Sequence, residues 1–451
     1  MNKIYAVILS YFIITFLVAR YFSRKESLQE YFLNNKSSSL WLLVFSNIAT
    51  MIGAWAVITT IAATYDSGIS FGITSLISFL FGAVILWILA KKVFEFGNKH
   101  GIYSIVDFFA KRFDKKNQIL VFILQLLLLI IWTAVQIIGI TYLINVLTGI
   151  NYYLALWISA WITILYTSMG WLKIDIITDF IQFWIILIVF IIMTIVGYQY
   201  VWWLHHLIEI LPAWHLNPFG FWGVGFLIWT IVFWGLIYIP NTSHRQRMLS
   251  AKTQNIAKKS FFRSIPFLAV LMIMVIFLWL VSSAVLTWID PNTAVFALMN
   301  KILVNKRLIW LWFACILAVI MSSLDSFLVA WSTIIYKCFT ATKTITEKKW
   351  LLYARALTAG FWIICMVIAL LVPDIVTLTL LCSYLALVFV PAVIAGFCSK
   401  RISANASFYS ILVSTIVLLG CYFVIGKNTF IISTSIAIII IVFYDKIFKP
   451  K

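Results

Sequence analysis

A chain of 451 residues that is 64% hydrophobic and 10% charged lies far from the soluble range, where domains run at about 45–50% apolar and about 25% charged. Membrane crossings of ~20 apolar residues each account for the excess, which excludes a soluble enzyme and describes an all-α polytopic membrane protein with almost no extramembrane domain. The net charge of +19 does not point to nucleic acid, because the basic residues sit in short loops between apolar runs.

Apolar runs separated by charged breaks predict thirteen transmembrane helices, at 4–21, 40–63, 70–92, 117–147, 151–169, 175–200, 221–241, 260–286, 308–336, 351–371, 375–397, 405–424 and 428–447. The first run lacks a small-residue cleavage site and is followed by Arg20, Arg24 and Lys25, so it is expected to be retained rather than removed as a signal peptide. Between the third and fourth spans, residues 101–113 carry apolar side chains at helical spacing with charges opposite, which predicts a short helix on the cytoplasmic face. The loop at 202–219 holds His205, His206 and His215; with no Cys or carboxylate pair to complete a coordination sphere, they read as interfacial residues. The six cysteines, Cys315, Cys338, Cys365, Cys382, Cys398 and Cys421, form no CxxC and suggest neither a disulfide framework nor a metal site.

Orientation follows from the charges. With the N-terminus outside, 28 of the 33 basic residues fall in inside loops, and Lys3, Lys301, Lys306, Arg307 and Lys427 fall outside. A miscounted span would scramble that alternation, so the expectation is an outside N-terminus and a cytoplasmic C-terminus.

Three polar clusters interrupt the apolar runs. Ser46, Asn47, Ala49, Thr50, Gly53 and Ala54 stand ahead of Trp55 in the second span. They make either a helix–helix contact surface or a break whose freed carbonyls line a cavity and coordinate a cation. In the sixth span, Asp175, Thr178, Asp179 and Gln182 form one stripe. Asp175 suits a helix N-terminus, while Asp179, a turn deeper, is the better functional candidate. In the ninth span, Ser322, Asp325 and Ser326 share a face, and a carboxylate inside a span needs a partner. All five histidines lie in loops or at span ends, and no GxSxG, HExxH or P-loop pattern occurs, so a membrane enzyme is not expected.

These clusters occur in an order that resembles the sodium:solute symporter family across nearly the whole chain. Tyr31-Phe32-Leu33, Trp41 and Trp55 look like that family's approach to its first core helix. Tyr166-Thr167-Ser168-Met169-Gly170 with Thr178-Asp179-Phe180-Ile181-Gln182 is similar to its fifth-core-region signature. Gln246 to Lys252 (QRMLSAK) and Met321 to Ser326 (MSSLDS) resemble two further motifs. The chain departs from the pattern at Trp171, which replaces a glycine, and at Met51, where some members carry a carboxylate. Residues 241–245 (NTSHR) match no subgroup.

The resemblance implies a leucine-transporter-like core of two inverted five-helix repeats, at 40–200 and 221–397. An extra N-terminal helix and loop (1–39) and two C-terminal helices (405–451) flank it. With the local density of glycine and small residues, it predicts interruptions near Ala49–Gly53 and between Gly220 and Gly235. It further implies that sodium is held by the carbonyls of Ala49, Ile52 and Val319 and the hydroxyls of Ser322 and Ser323, with Asp179 assisting a second ion or its release. Gly53, Trp55, Gln136 and Trp234 are expected near the solute, because aromatic walls with one or two amides suit a small polar organic molecule. The plainer reading of Trp55 and Trp234 is that they fill the bundle among 21 tryptophans. The implied function is sodium-coupled import of a small organic solute by alternating access across a plasma membrane, a bacterial inner membrane, by a monomer whose partners are solute, Na+ and lipid. A proton-driven transporter of the same fold, with Asp179 or Asp325 titrating, and a non-transporting solute sensor or partner subunit are the alternatives.

Overall fold

The computed structural model describes residues 32–167, 172–202, 204–220, 223–286, 289–303, 305–340, 347–399 and 401–448, together with Ser10, Ile13, Leu17 and Tyr21. In chain order the α-helices are α1 (Leu40–Met51), α2 (Thr60–Ser67), α3 (Ile69–His100), α4 (Ile105–Arg112), α5 (Lys115–Thr148), α6 (Tyr152–Thr167), α7 (Leu172–Tyr200), α8 (Leu204–Ile210) and α9 (Gly223–Leu236). They continue as α10 (Thr242–Ser250), α11 (Gln254–Val285), α12 (Ala294–Ile302), α13 (Lys306–Thr340), α14 (Glu347–Leu371), α15 (Ile375–Leu387), α16 (Val390–Cys398), α17 (Ala404–Ile425) and α18 (Thr429–Phe448). Among the described residues the extended pairing is confined to one parallel bridge between Ser38 and Ala251.

Among the described residues, eight stretches are helical, long and apolar enough to cross a membrane, and the pair Leu40–Met51 and Trp55–Ser67, bent by 55°, makes a ninth. The expected spans at 151–169 and 221–241 correspond to the shorter helices α6 and α9, of 16 and 14 residues. The expected first span lies outside the described residues except at four positions, as do most of the motif at 166–170 and the substituted Trp171.

The surface is inverted relative to a soluble protein. Ile88, Ile123, Ile188 and Ile273 are each more than half exposed, while Ser46, Asn47, Gln136, Ser322 and Ser323 are fully buried. Apolar side chains facing outward and hydroxyls facing inward are what a lipid solvent selects. The chain is a multi-pass membrane protein. Its centre is built by α1 and α7 packing on each other and on α11 and α13, with α5 set against α13, α14 and α15 and α3 against α9 and α11. The terminal pair α17 and α18 packs on itself.

Two expectations about individual elements meet different outcomes. The helix predicted within 101–113 is α4, opened by a capping box in which Ser104 and Asp107 satisfy each other's backbone N–H. The predicted interruption between Gly220 and Gly235 is corrected: α9 runs unbroken from Gly223 to Leu236, and the chain leaves the helix afterwards, at 237–241. Pro240 explains the position. It offers no N–H and disfavours helix at Ile239, and the Asn241 side chain then accepts from the Ser243 N–H at 2.8 Å to start α10.

Candidate ion and solute site

The break after α1 is a local consequence of Ile52 and Gly53. Ile52 leaves helical geometry at φ −99°, ψ 78°, and the chain resumes with a π-helical turn at Trp55–Thr59 before α2. In an unbroken helix the carbonyls of Ala49 and Thr50 would accept from the N–H groups of Gly53 and Ala54. Here the Ala54 N–H donates to Gln136 Oε1 at 2.9 Å. The freed carbonyls turn to α13: Ser322 Oγ donates toward Ala49 O at 2.9 Å and also lies 2.9 Å from Val319 O, while Ser323 Oγ reaches Thr50 O at 3.4 Å.

Of the five groups expected around a cation, Ala49, Val319 and Ser322 therefore meet directly. Ile52 ends the helix beside them, and Ser323 sits on the neighbouring carbonyl of Thr50. All five residues are buried, with at most 1% exposure. The set offers neutral hard oxygens, carbonyl and hydroxyl, which suits an alkali cation better than a soft metal.

Gly53 is required by the closeness of α13. A Cβ there would lie 2.3 Å from Ser323 Oγ and 3.2 Å from Gln136 Nε2. Gly53→Ala is expected to cost about 1–3 kcal/mol through overpacking, read as a lowered midpoint of thermal unfolding in detergent. An unchanged midpoint would show that Ser323 swings aside freely.

On the far side of the break lies a cavity lined by Trp55, Phe79, Trp234, Tyr238, Thr379 and Ser383, among others. Trp55 and Trp234 share this cavity, whereas Gly53 and Gln136 stay at the break outside its lining. Gln136 Nε2 is buried with no hydrogen-bond partner.

A second polar assembly was not foreseen from the sequence. Arg247 of α10 is 1% exposed, and its Nη2 contacts Asp175 Oδ2 at 2.9 Å and Asp179 Oδ2 at 2.6 Å on α7. The same nitrogen reaches Ser326 Oγ at 2.7 Å on α13, and Nε reaches Ser46 Oγ at 2.8 Å on α1. Ser46 Oγ donates to Asp179 Oδ2 at 2.6 Å, and Thr50 Oγ1 lies 3.3 Å from it. Asp175 lies in the first turn of α7, as its placement at a helix N-terminus expects, and is in addition an ion-pair partner of Arg247, while Asp179 is held by the same guanidinium. One turn of α13 joins this assembly to the break, since Ser326 Oγ donates to Ser322 O at 2.9 Å. The signal for it was present only as the Gln246-Arg247 motif, because its partners lie 72 and 68 residues away. Asp325, on the same helix, is buried at 4% exposure.

Of the histidines in the 202–219 loop, His205 and His206 have side chains beyond those described, while His215 is packed against Trp214 with ring centroids 3.8 Å apart. No group of three metal-ligating side chains occurs among the described residues.

A lipid-facing helical bundle with one span broken where α13 hydroxyls meet freed carbonyls, and a cavity beside the break, has the build of a membrane transporter. The chain belongs to the sodium:solute symporter family, which it matches over residues 31–414. It is 27% identical over 343 residues to a sodium/proline symporter of Staphylococcus aureus, an alignment covering 73% of this chain and 66% of the relative. It thus spans just under two thirds of the length of that relative. Its fold is that of a Na+-coupled sialic acid symporter described in a substrate-bound outward-open state, with TM-score 0.82 at 18% identity over 99% of this chain and 98% of the other. A nucleobase-cation-symport-1 family transporter in a closed conformation with bromovinylhydantoin bound is more distant, with TM-score 0.60 at 14% identity over 92% and 94%. These relatives are transporters by name, and none is an enzyme.

Proposed function

We propose that this protein is a sodium-coupled symporter that imports a small organic solute across a plasma membrane by alternating access. The observation that carries the reading is the meeting of Ser322 Oγ with the carbonyls of Ala49 and Val319 at a broken span. An unwound helix supplies oxygen ligands without burying a second full charge, which is how many transporters seat a coupling ion at mid-membrane. In this reading the ion's ligands are the carbonyls of Ala49, Ile52 and Val319 and the hydroxyls of Ser322 and Ser323. A second ion at Asp179 would have to share that carboxylate with Arg247. The solute is held beside the break by Trp55 and Trp234, with Gly53 and Gln136 shaping the break itself.

The same reading takes 40–200 and 221–397 as two inverted repeats within thirteen spans, with the N-terminus outside and the chain working as a monomer. The break after α1 and the chain's departure from helix at 237–241 support it, as they fall at matching places near the start of each half.

Uptake into proteoliposomes tests the coupling. L-Proline is the first solute to try, since it is the one named for a 27% identical relative, followed by a wider panel. Accumulation is expected under an inward sodium gradient and not when potassium replaces sodium. Uptake that ignores sodium and collapses with the proton gradient would favour the proton-driven alternative, and saturable binding without accumulation would favour a sensor.

A further inference from the structure

We infer that the solute of the cavity beside Trp55 carries no net charge and presents an apolar face to its aromatic wall and an oxygen acceptor to the Trp234 indole N–H. The inference deepens the transport reading and rests on it only in treating this cavity as the solute site.

The walls come from four parts of the chain: Trp55, Thr59 and Thr60 after the break, Ser75, Ser78 and Phe79 on α3, Trp234 on α9 with Tyr238 just beyond it, and Thr379 and Ser383 on α15. Among the described residues, no Asp, Glu, Lys, Arg or His lines it. An imidazole, His244, stands behind Tyr238 with ring centroids 5.6 Å apart. Of the buried acidic and basic side chains, Arg247, Asp175 and Asp179 bind one another and the α1 side chains Ser46 and Thr50, before the break. Arg245 stacks over Phe108 and Phe397 and donates to Ile239 O, and Asp325 is buried on α13 outside the lining. Ala49, Val319 and Ser322 are not in the cavity lining, so an ion bound there is not one of its walls. A solute with a net charge would lose its hydration and meet no countercharge, which is costly in such surroundings.

Part of its polar wall is paired internally. Thr59 and Thr379 hydroxyls pair at 3.2 Å, and Ser383 Oγ donates to the Thr379 carbonyl at 2.8 Å. Among the described residues, two buried polar atoms of the lining have no partner: Ser78 Oγ and Trp234 Nε1. An indole N–H can only donate, so what is missing at that point is an acceptor. The rings are arranged for contact with an apolar face rather than as a cation cage. Trp55 already stacks on Phe79, centroids 4.5 Å and planes 7° apart, and Phe71 meets Trp234 edge-on at 5.4 Å. A cation cage needs open ring faces turned on one point.

The test uses the purified full-length protein and six probes: D-glucose, myo-inositol and L-proline as ring compounds without net charge, pyruvate and benzoate as anions, and choline as a cation. Binding is followed by thermal stabilisation in sodium and in potassium. Saturable binding is expected from at least one uncharged probe and from none of the charged ones. Trp234→Phe keeps the ring and removes the donor, and is expected to weaken that probe roughly fivefold to tenfold, with the unfolding midpoint of the free protein unchanged. Saturable, sodium-dependent binding of pyruvate, benzoate or choline would overturn the charge assignment while leaving symport intact. An uncharged probe bound equally in sodium and potassium would leave the assignment intact and count against sodium coupling. Undiminished affinity in Trp234→Phe would overturn the acceptor at the indole.

Discussion

Ser322→Ala is expected to raise the sodium concentration for half-maximal uptake roughly 10- to 150-fold, with protein levels in the membrane little changed. The magnitude follows from losing one polar contact to a charged group, about 1.5–3 kcal/mol. Ser322 Oγ stands 2.9 Å from both Ala49 O and Val319 O. A cation settling among these three oxygens needs only that the hydroxyl turn its proton away, with no change of backbone. Removing the hydroxyl therefore leaves the carbonyls in place and the ion one ligand short. Ser323→Ala should act in the same direction but less, because Ser323 Oγ lies 3.4 Å from one carbonyl, that of Thr50. A sodium titration of uptake in proteoliposomes separates the two. If Ser323→Ala had the larger effect, the ion would belong nearer Thr50, and if neither moved the titration, the site at the break would be wrong.

What could be read in the sequence and what could not divides by range of interaction. Helix content and the lipid-facing surface are set by local apolar runs, and these were legible. The break at Gly53 was legible as one of two options, packing surface or helix break, because small residues serve both. Contacts settle the matter: the Ala54 N–H goes to Gln136, 82 residues on, and spacing along one helix cannot show that. The second interruption was sought among the glycines of α9 and lies instead at Pro240 and Asn241. Gly235 has another role, since a Cβ there would lie 2.3 Å from Phe81 on α3; it marks a close helix crossing and not a break. The place of Asp175 in the first turn of α7 was legible, but its ion pair was not, because Arg247 belongs to another helix and to a motif whose basic residues looked like loop charges.

The largest stability effect is expected from that arginine. Arg247→Ala should destabilise the protein by about 3–5 kcal/mol, the usual consequence of removing one partner from a buried ion pair. The assembly holds two carboxylates and one guanidinium, all at 1% exposure or less. Arg247 also ties α10 to α1 through Ser46 and to α13 through Ser326, so its loss leaves two buried negative charges facing each other and three helices without a common donor. Neutralising one acid is a different perturbation. Asp175→Asn leaves one carboxylate for one guanidinium and keeps an oxygen for Ser326, so it should change stability by no more than about 1 kcal/mol. Thermal unfolding of the two variants, solubilised side by side, measures the contrast. A large loss in Arg247→Ala with a small change in Asp175→Asn would show that charge balance governs this assembly. Equal losses would show instead that each carboxylate is needed for its own hydrogen bonds, since Asp175 accepts from Ser326 at 3.1 Å and Asp179 from Ser46 at 2.6 Å. In that case charge would be secondary to the geometry that holds α1, α7, α10 and α13 together.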